Sequence, residues 1–510
     1  MCNLSAMSRT TNDISYSLTN YDIIRNREIG SRTKIGYEDE LSRKIYYNMD
    51  ASESSIPSEK DSTDQGGIFN LEFSLDGRLL VAACEEKSEM CKLCKVPQIN
   101  AIVSRKTPKN IEIRFLDNNT FATCSDDGTI KLWDIRHLKV ASRTLQGHSN
   151  WVKNIEYSEK EKVMVTSAFD GSIYAWDLKS HTENSVLYNK VFVMTGLMRT
   201  KLTPDGSKMI IATTNGYMII VHDLNLSMMS NDMKTFRPNL YRLMQVSEQT
   251  FPAGTMFNYL FTTSRNRLEF IDDFPNEAEV ISSVQIHPMG WCALSRNVSA
   301  EDREEWTCVH DIQMRDQQEY DDAYSYIDPD GPEAEEPPEE EPTTRLTDIW
   351  MGFTTNEQTE RHREQNRTNI ETGRAFMGVI NSGLIGHNYY TRHFEQRPED
   401  KYRIVKNLPR LTHSIKELAV GKGYIKELCF STDGRVICSP YGKGVRLLAF
   451  NEQCQEICCC VPDKPKELYT IVTMKDYHTD VVVSCKFNPR HYQMVSGCLG
   501  GDIVWYTPFL

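Results

Sequence analysis

The chain has 510 residues, 39% hydrophobic and 25% charged, with a formal net charge of −13. That length suits one large domain with decorations or two or three ordinary ones, and no run approaches the roughly 20 apolar residues of a membrane span. The acidic balance excludes a general nucleic-acid surface, which needs a basic excess.

The chain opens Met1-Cys2-Asn3-Leu4-Ser5, without a basic region followed by an apolar core. The reading is therefore no secretory signal and an intracellular protein, cytoplasmic or nuclear, whose 15 cysteines stay reduced. Cys91-Lys92-Leu93-Cys94 and the run Cys458-Cys459-Cys460 lack a second ligand pair at zinc spacing, so no metal is expected. Residues 1–65 are polar and form an arm, either adaptor-binding or disordered. Its patches at 21–29 and 38–47 carry helical spacing, with Leu41 and Ile45 on one face of the second.

From Gly66 a repeat takes over. Phe121 to Arg136 reads as strand, Asp-Asp-Gly turn and strand, and Val165 to Lys179 repeats it, placing Trp176 43 residues after Trp133. That is the period of four-stranded propeller blades. A second landmark, the turn after each first strand, recurs seven times: at Ser74-Leu75-Asp76-Gly77, Leu116 to Asn119, Ser158-Glu159-Lys160, Thr203-Pro204-Asp205-Gly206, His287-Pro288-Met289-Gly290, Ser431 to Gly434 and Asn488-Pro489. The prediction is an all-β, seven-bladed propeller over 66–510 with a partly helical arm. Two long steps between landmarks predict two insertions, 226–275 between blades four and five and 313–410 between blades five and six. Residues 259–272 could instead form a strand pair of an eighth blade. Between Met314 and Pro342 lie twelve acidic residues against Arg315 alone, most of the net charge, and this Pro/Glu-rich stretch is expected to be disordered.

Polar residues at fixed offsets suggest a buried network in blade three, in which His148 donates to Asp170 and accepts from Ser167 or Thr166, whose hydroxyl reaches the Trp176 indole. A Ser/His/Asp set invites a hydrolase reading, but its place in the repeat makes it structural. Blade two keeps Asp127 and Trp133, with Lys109-Asn110 where a histidine is expected. Blade seven keeps His478, Ser496 and Trp505.

The endings Trp133-Asp134-Ile135-Arg136 and Trp176-Asp177-Leu178-Lys179, with Asp127 and Asp170 six residues before each Trp, resemble the paired signature of the WD40 substrate receptors of cullin-4 RING ubiquitin ligases. Gly66 to Ser74, Trp151 to Tyr157, Glu304 to Val309 and Gly423 to Phe430 are similar to the same family. The resemblance implies a WD40 propeller without enzymatic activity or cofactor. It also implies a bottom face that docks the adaptor, damaged-DNA-binding protein 1, with cullin-4, through Arg136, Lys179, Asp134 and Asp177. A protein substrate would bind elsewhere, with no membrane and no direct nucleic acid involved. Lys179 is the weaker candidate, because an ammonium lacks the two-pronged fork of a guanidinium. The alternative is a WD40 scaffold unconnected to ubiquitin.

Overall fold

The computed structural model describes residues 9–11, 28, 37–55, 66–84, 92–95, 110–179, 187–226, 238–247, 261–262, 265–299, 304–314, 407–421, 423–455 and 464–509. The acidic run after Met314, the helical patch at 21–29 apart from Glu28, Cys91 and Cys458 to Cys460 lie outside them. The fold is all-β.

The arm supplies β1 (Arg9–Thr11), helix α1 (Tyr37–Tyr47) and β2 (Met49–Ser55). A first sheet holds β3 (Ile68–Phe73), β4 (Leu79–Cys84) and β5 (Lys92–Lys95); a second holds β6 (Asn110–Phe115), β7 (Thr120–Ser125), β8 (Thr129–Asp134) and β9 (Arg143–Gln146). The third is β10 (Val152–Ser158), β11 (Val163–Ala168), β12 (Ser172–Asp177) and β13 (Leu187–Val193). The fourth begins with β14 (Leu197–Leu202), β15 (Met209–Thr213) and β16 (Met218–Val221); after helix α2 (Pro238–Ser247) and a hairpin of β17 (Phe261–Thr262) and β18 (Arg265–Asn266), β19 (Leu268–Ile271) completes it. The fifth contains β20 (Ala278–Ile286), β21 (Cys292–Ser299), β22 (Glu305–Asp311) and β23 (Leu411–Glu417). The sixth is built on β24 (Cys429–Phe430), β25 (Val436–Tyr441) and β26 (Gly444–Ala449). The short β27 (Lys466–Glu467) joins the fifth sheet, and β28 (Tyr469–Met474) with β1 completes the sixth. The seventh joins β29 (Val482–Phe487), β30 (Met494–Cys498) and β31 (Ile503–Pro508) to β2.

Each landmark turn ends the first strand of a sheet. At the first, Gly77 takes φ 69°, its N–H donates to Ser74 O at 2.8 Å, and Asp76 accepts from the Ser74 hydroxyl at 2.6 Å. The first strands are neighbours in succession: β3 lies beside β6, β6 beside β10, β10 beside β14, β14 beside β20, β20 beside β24, β24 beside β29, and β29 beside β3. Second and third strands such as Met209–Thr213 and Met218–Val221 are buried along their whole length, because neighbouring sheets cover both of their faces.

Three expectations need correction. Both insertions interrupt a sheet rather than lying between two: β16 pairs with β19 and β22 with β23, so each excursion falls before a fourth strand. An outermost strand tolerates this, since the cost of closing a loop grows only with the logarithm of its length. The described part of residues 259–272 gives a separate two-stranded sheet, the small hairpin, and the fourth strand of the fourth sheet, rather than a blade of its own. The arm is also not separate from the sheets, for β2 pairs with β31 along its length. Its sequence, Met-Asp-Ala-Ser-Glu-Ser-Ser, has no apolar alternation, and Met49 is the fully buried member of its first four residues.

Candidate functional site

Third strands end beside the turn that joins first to second strands, which defines one edge of the sheets, here called lower. Ile135 N–H donates to Asn119 O at 2.9 Å, and Leu178 N–H to Lys162 O at 3.3 Å. Arg136 and Lys179 follow these strand ends. Arg136 is exposed and folds back on Asp134, with Nε donating to Oδ1 at 3.0 Å and Nη2 to Oδ2 at 2.7 Å, while its backbone N–H also reaches Oδ1 at 2.9 Å. The Arg136 bonds hold the Asp134 carboxyl down at about 2. A guanidinium held by two parallel bonds is fixed in direction, and that of Arg136 stays exposed. Lys179 reproduces only the backbone half: its N–H donates to Asp177 Oδ1 at 2.9 Å.

Helix α1 lies at the lower edge too. Tyr46 donates to Asp433 at 2.9 Å, Tyr47 to Glu452 O at 3.2 Å, and Asp39 pairs with Arg435 at 2.5 Å, all residues of sixth-sheet turns. The patch at 38–47 is thus helical, with Ile45 and Tyr46 buried and Leu41 half-buried.

The polar network of the third sheet forms, by a longer route than the spacing suggested. Trp176 Nε1 donates to Thr166 Oγ1 at 2.8 Å, Thr166 lies 2.8 Å from His148 Nε2, and His148 Nδ1 lies 2.9 Å from Ser172 Oγ, which bonds Asp170. A relay satisfies every member: indole to threonine, threonine to the bare Nε2, Nδ1–H to serine, serine to carboxylate. Burial holds His148 at about 4, so the ring is neutral as the relay requires. His148 therefore reaches Asp170 through Ser172, its own nitrogen staying 3.6 Å away. The hydroxyl is that of Thr166; Ser167 alternates to the other face and meets Thr200 at 3.3 Å. Asp170 also accepts from Ser149 N–H at 2.9 Å, tying the loop before β10 to the turn after β11. Ser172 is fully buried and its hydroxyl is spent on Asp170, so it has no access to a substrate.

In the second sheet, Trp133 Nε1 donates to Thr123 Oγ1 at 3.0 Å, and Asp127 accepts from Thr129 within its own turn. In the seventh, His478 lies 2.6 Å from Ser496, but Ser496 continues to Tyr506 at 2.9 Å. Trp505 instead stacks edge to face on Phe73 of the first sheet at 6.1 Å. One position in a strand reverses the face, so Ser496 meets Tyr506 and not Trp505. Asp502, which the sequence reading missed, accepts from Thr479 N–H at 2.9 Å as Asp170 does from Ser149.

Among the described residues two clusters offer metal-type ligands: Cys429 with Cys438 and Cys485, and His478 with Cys498 and Asp502. Each supplies three atoms where structural zinc takes four. No helix among the described residues is long and apolar enough to cross a membrane.

The family described as "WD domain, G-beta repeat" matches residues 110–134 and 139–177, the second and third sheets up to their Trp-Asp endings. Whole-chain relatives extend the match. "DDB1- and CUL4-associated factor 10" of Danio rerio is 35% identical over 484 residues, covering 91% of this chain and 78% of the relative. The protein of the same name from Xenopus laevis is 34% identical, over 87% and 85%, and that from Homo sapiens 33%, over 87% and 70%. With relatives above 30% identity matched over most of both lengths, the chain belongs to the DDB1- and CUL4-associated factor 10 family.

Proposed function

We propose that this chain is the substrate-recognition subunit of a cullin-4 RING ubiquitin ligase, a non-enzymatic, seven-bladed WD40 propeller that docks on the adaptor by its lower edge and presents a protein substrate. The observation that carries the reading is Arg136, fixed by Asp134 at the end of a Trp-Asp strand, with Lys179 at the equivalent place in the next sheet, in a family whose name joins DDB1 and CUL4. Seven blades are supported by the unbroken succession of first strands from β3 round to β29 and back. The domain reading becomes a propeller with two excursions, 226–275 and 313–410, and an arm, 1–65, whose helix α1 adds to the docking edge. The compartment that fits is the cytoplasm or nucleus.

The mechanism is tethering. Adaptor and substrate held on one rigid body make ubiquitin transfer effectively intramolecular, with an effective concentration set by geometry. Capture of adaptor and cullin from cells by tagged wild type, Arg136→Ala and Lys179→Ala tests it. A central anchor of this type carries about 30-fold in affinity; Arg136→Ala should lose about that much while keeping its melting temperature, and Lys179→Ala should lose less. Equal capture by folded Arg136→Ala would sink the assignment of Arg136. No capture by wild type would leave a scaffold unrelated to ubiquitin.

A further inference from the structure

The third sheet carries an aromatic pair at its upper edge, where second strands turn into third strands. Trp151 is 51% exposed and Phe169 46%, their rings edge to face at 6.0 Å, with Val193 beside them at 50%. The backbone fixes their places: Phe169 N–H donates to Trp151 O, and Met194 N–H to Gly171 O, both at 2.9 Å. Lys153 backs the Phe169 ring from the core. It is 1% exposed, with Nζ 3.3 Å from the ring centre and 3.5 Å from Met198 Sδ. Burial above all, and then the like charge of Arg199, hold it down to about 6, so near neutral pH it is mostly an uncharged amine. Two half-exposed aromatics held rigidly together are the composition of a binding hot spot, and this edge is opposite to Arg136 and Lys179.

The neighbouring sheet supplies the charge. β10 lies beside β7, so the turn that follows β7, Asp126-Asp127-Gly128, stands next to the loop that leads into Trp151. A Cβ at Gly128 would come within 3.4 Å of Asn150 O, one residue before the indole. Asp126 is part-exposed and Asp127 exposed. Asp127 spends one oxygen on Thr129 inside its own turn, and Asp126 accepts from the Ser125 hydroxyl at 3.3 Å. Among the described residues neither carboxylate pairs with a lysine or arginine.

We propose that Trp151, Phe169 and Asp126 form a docking subsite for an arginine-bearing segment of a protein substrate. A bulky apolar side chain of the segment rests on Phe169 and Val193, and a neighbouring arginine lies on Trp151 and reaches the Asp126 carboxylate. The inference rests on the receptor reading and names the class of segment received. Charge complementarity selects the cation, since Asp126 and Asp127 leave two negative charges beside the rings and an acidic segment would meet like charge. Arginine suits both halves of the site: a planar guanidinium stacks on an indole and offers its fork to a carboxylate. Rings and carboxylates alike reach solvent, so docking needs no opening of the core.

The test pans a phage library of short random peptides against the full chain and measures synthetic copies of the enriched sequences. Enrichment should couple arginine to a bulky apolar neighbour, and binding should weaken as salt rises. Affinity should fall about tenfold or more with Trp151→Ala. It should fall about three- to fivefold with Asp126→Asn, or with citrulline in place of the peptide's arginine, the upper end for a solvent-facing ion pair. The last two losses should not add when combined, because each removes the same contact. Asp126→Asn should keep the wild-type melting temperature, so its loss of binding is not loss of fold. No enrichment, enriched peptides without arginine, binding indifferent to Trp151→Ala and Asp126→Asn, or citrulline costing as much against Asp126→Asn as against wild type would overturn the proposal. Arg136→Ala should bind the peptides normally and Asp126→Asn should capture adaptor normally. Failure of adaptor capture by wild type alone would strike the receptor reading and leave the peptide subsite standing.

Discussion

The second and third sheets share a Trp-Asp ending and a turn glycine, yet they are held together differently. In the third, one threonine serves two buried groups, the Trp176 indole and His148, and Asp170 reaches into the loop that arrives from the preceding sheet. In the second, Thr123 serves Trp133 alone and Asp127 stays within its own turn. The same visible motif is a local fastening in one sheet and a stitch between sheets in the other. What distinguishes them is the histidine between, so the motif's value lies in its neighbours.

That contrast can be broken by experiment. Thr166→Val orphans two buried groups and should cost about 2–4 kcal/mol, whereas Thr123→Val orphans one and should cost about 1–2 kcal/mol. Denaturant midpoints of the two variants measure the gap; equal losses would mean that the His148 relay contributes nothing. The turn glycines sharpen the point. Gly171 and Gly128 have φ of 75° and 77°, so the backbone penalty of an alanine is common to both. A Cβ at Gly171, however, would come within 2.2 Å of Met194 O, against 3.1 Å from His148 O at Gly128. Gly171→Ala should therefore be the less stable by about 1 kcal/mol, on the scale of strained backbone sites.

Acidity gives the most diagnostic effect. His148, His287, His413 and His478 are each held at about 4, burial being the main cause. In the unfolded chain they protonate near 6.5. Between those values the unfolded state binds more protons, so stability is complete above pH 6.5 and declines as pH falls toward 4. Melting temperature followed from pH 7.5 to 5 should drop, and His148→Gln should show a shallower slope. An unchanged slope would mean that His148 is not the buried neutral group the relay needs.

Much of this was legible in the residues. The seven turns could be found because Asp-Gly and Pro set dihedrals locally, and the Trp-Asp pairs because a repeat displays itself. Tyr506 and Ser172 were not legible, because they depend on register, where a single step reverses the face. Lys153 was hidden for a different reason: a lysine at the start of a strand is ordinary until it is seen buried, its Nζ 3.3 Å from the centre of the Phe169 ring. The resemblance pointed to Arg136, but only the structure reveals that Asp134 already grips it.

One pairing carries a consequence for how the molecule is made. The outer strand of the seventh sheet, Met49–Ser55, hydrogen-bonds to Ile503–Pro508, roughly 450 residues later. At about 5–20 residues per second on the ribosome, the early strand waits on the order of half a minute or more for its mate. Until then the emerging protein is an open arc with two unclosed ends, each a candidate for chaperone capture or for pairing with another nascent copy. A premature stop anywhere before residue 503 leaves both ends permanently unjoined, and quality control would meet a receptor that could be fully translated through six sheets and still never latch.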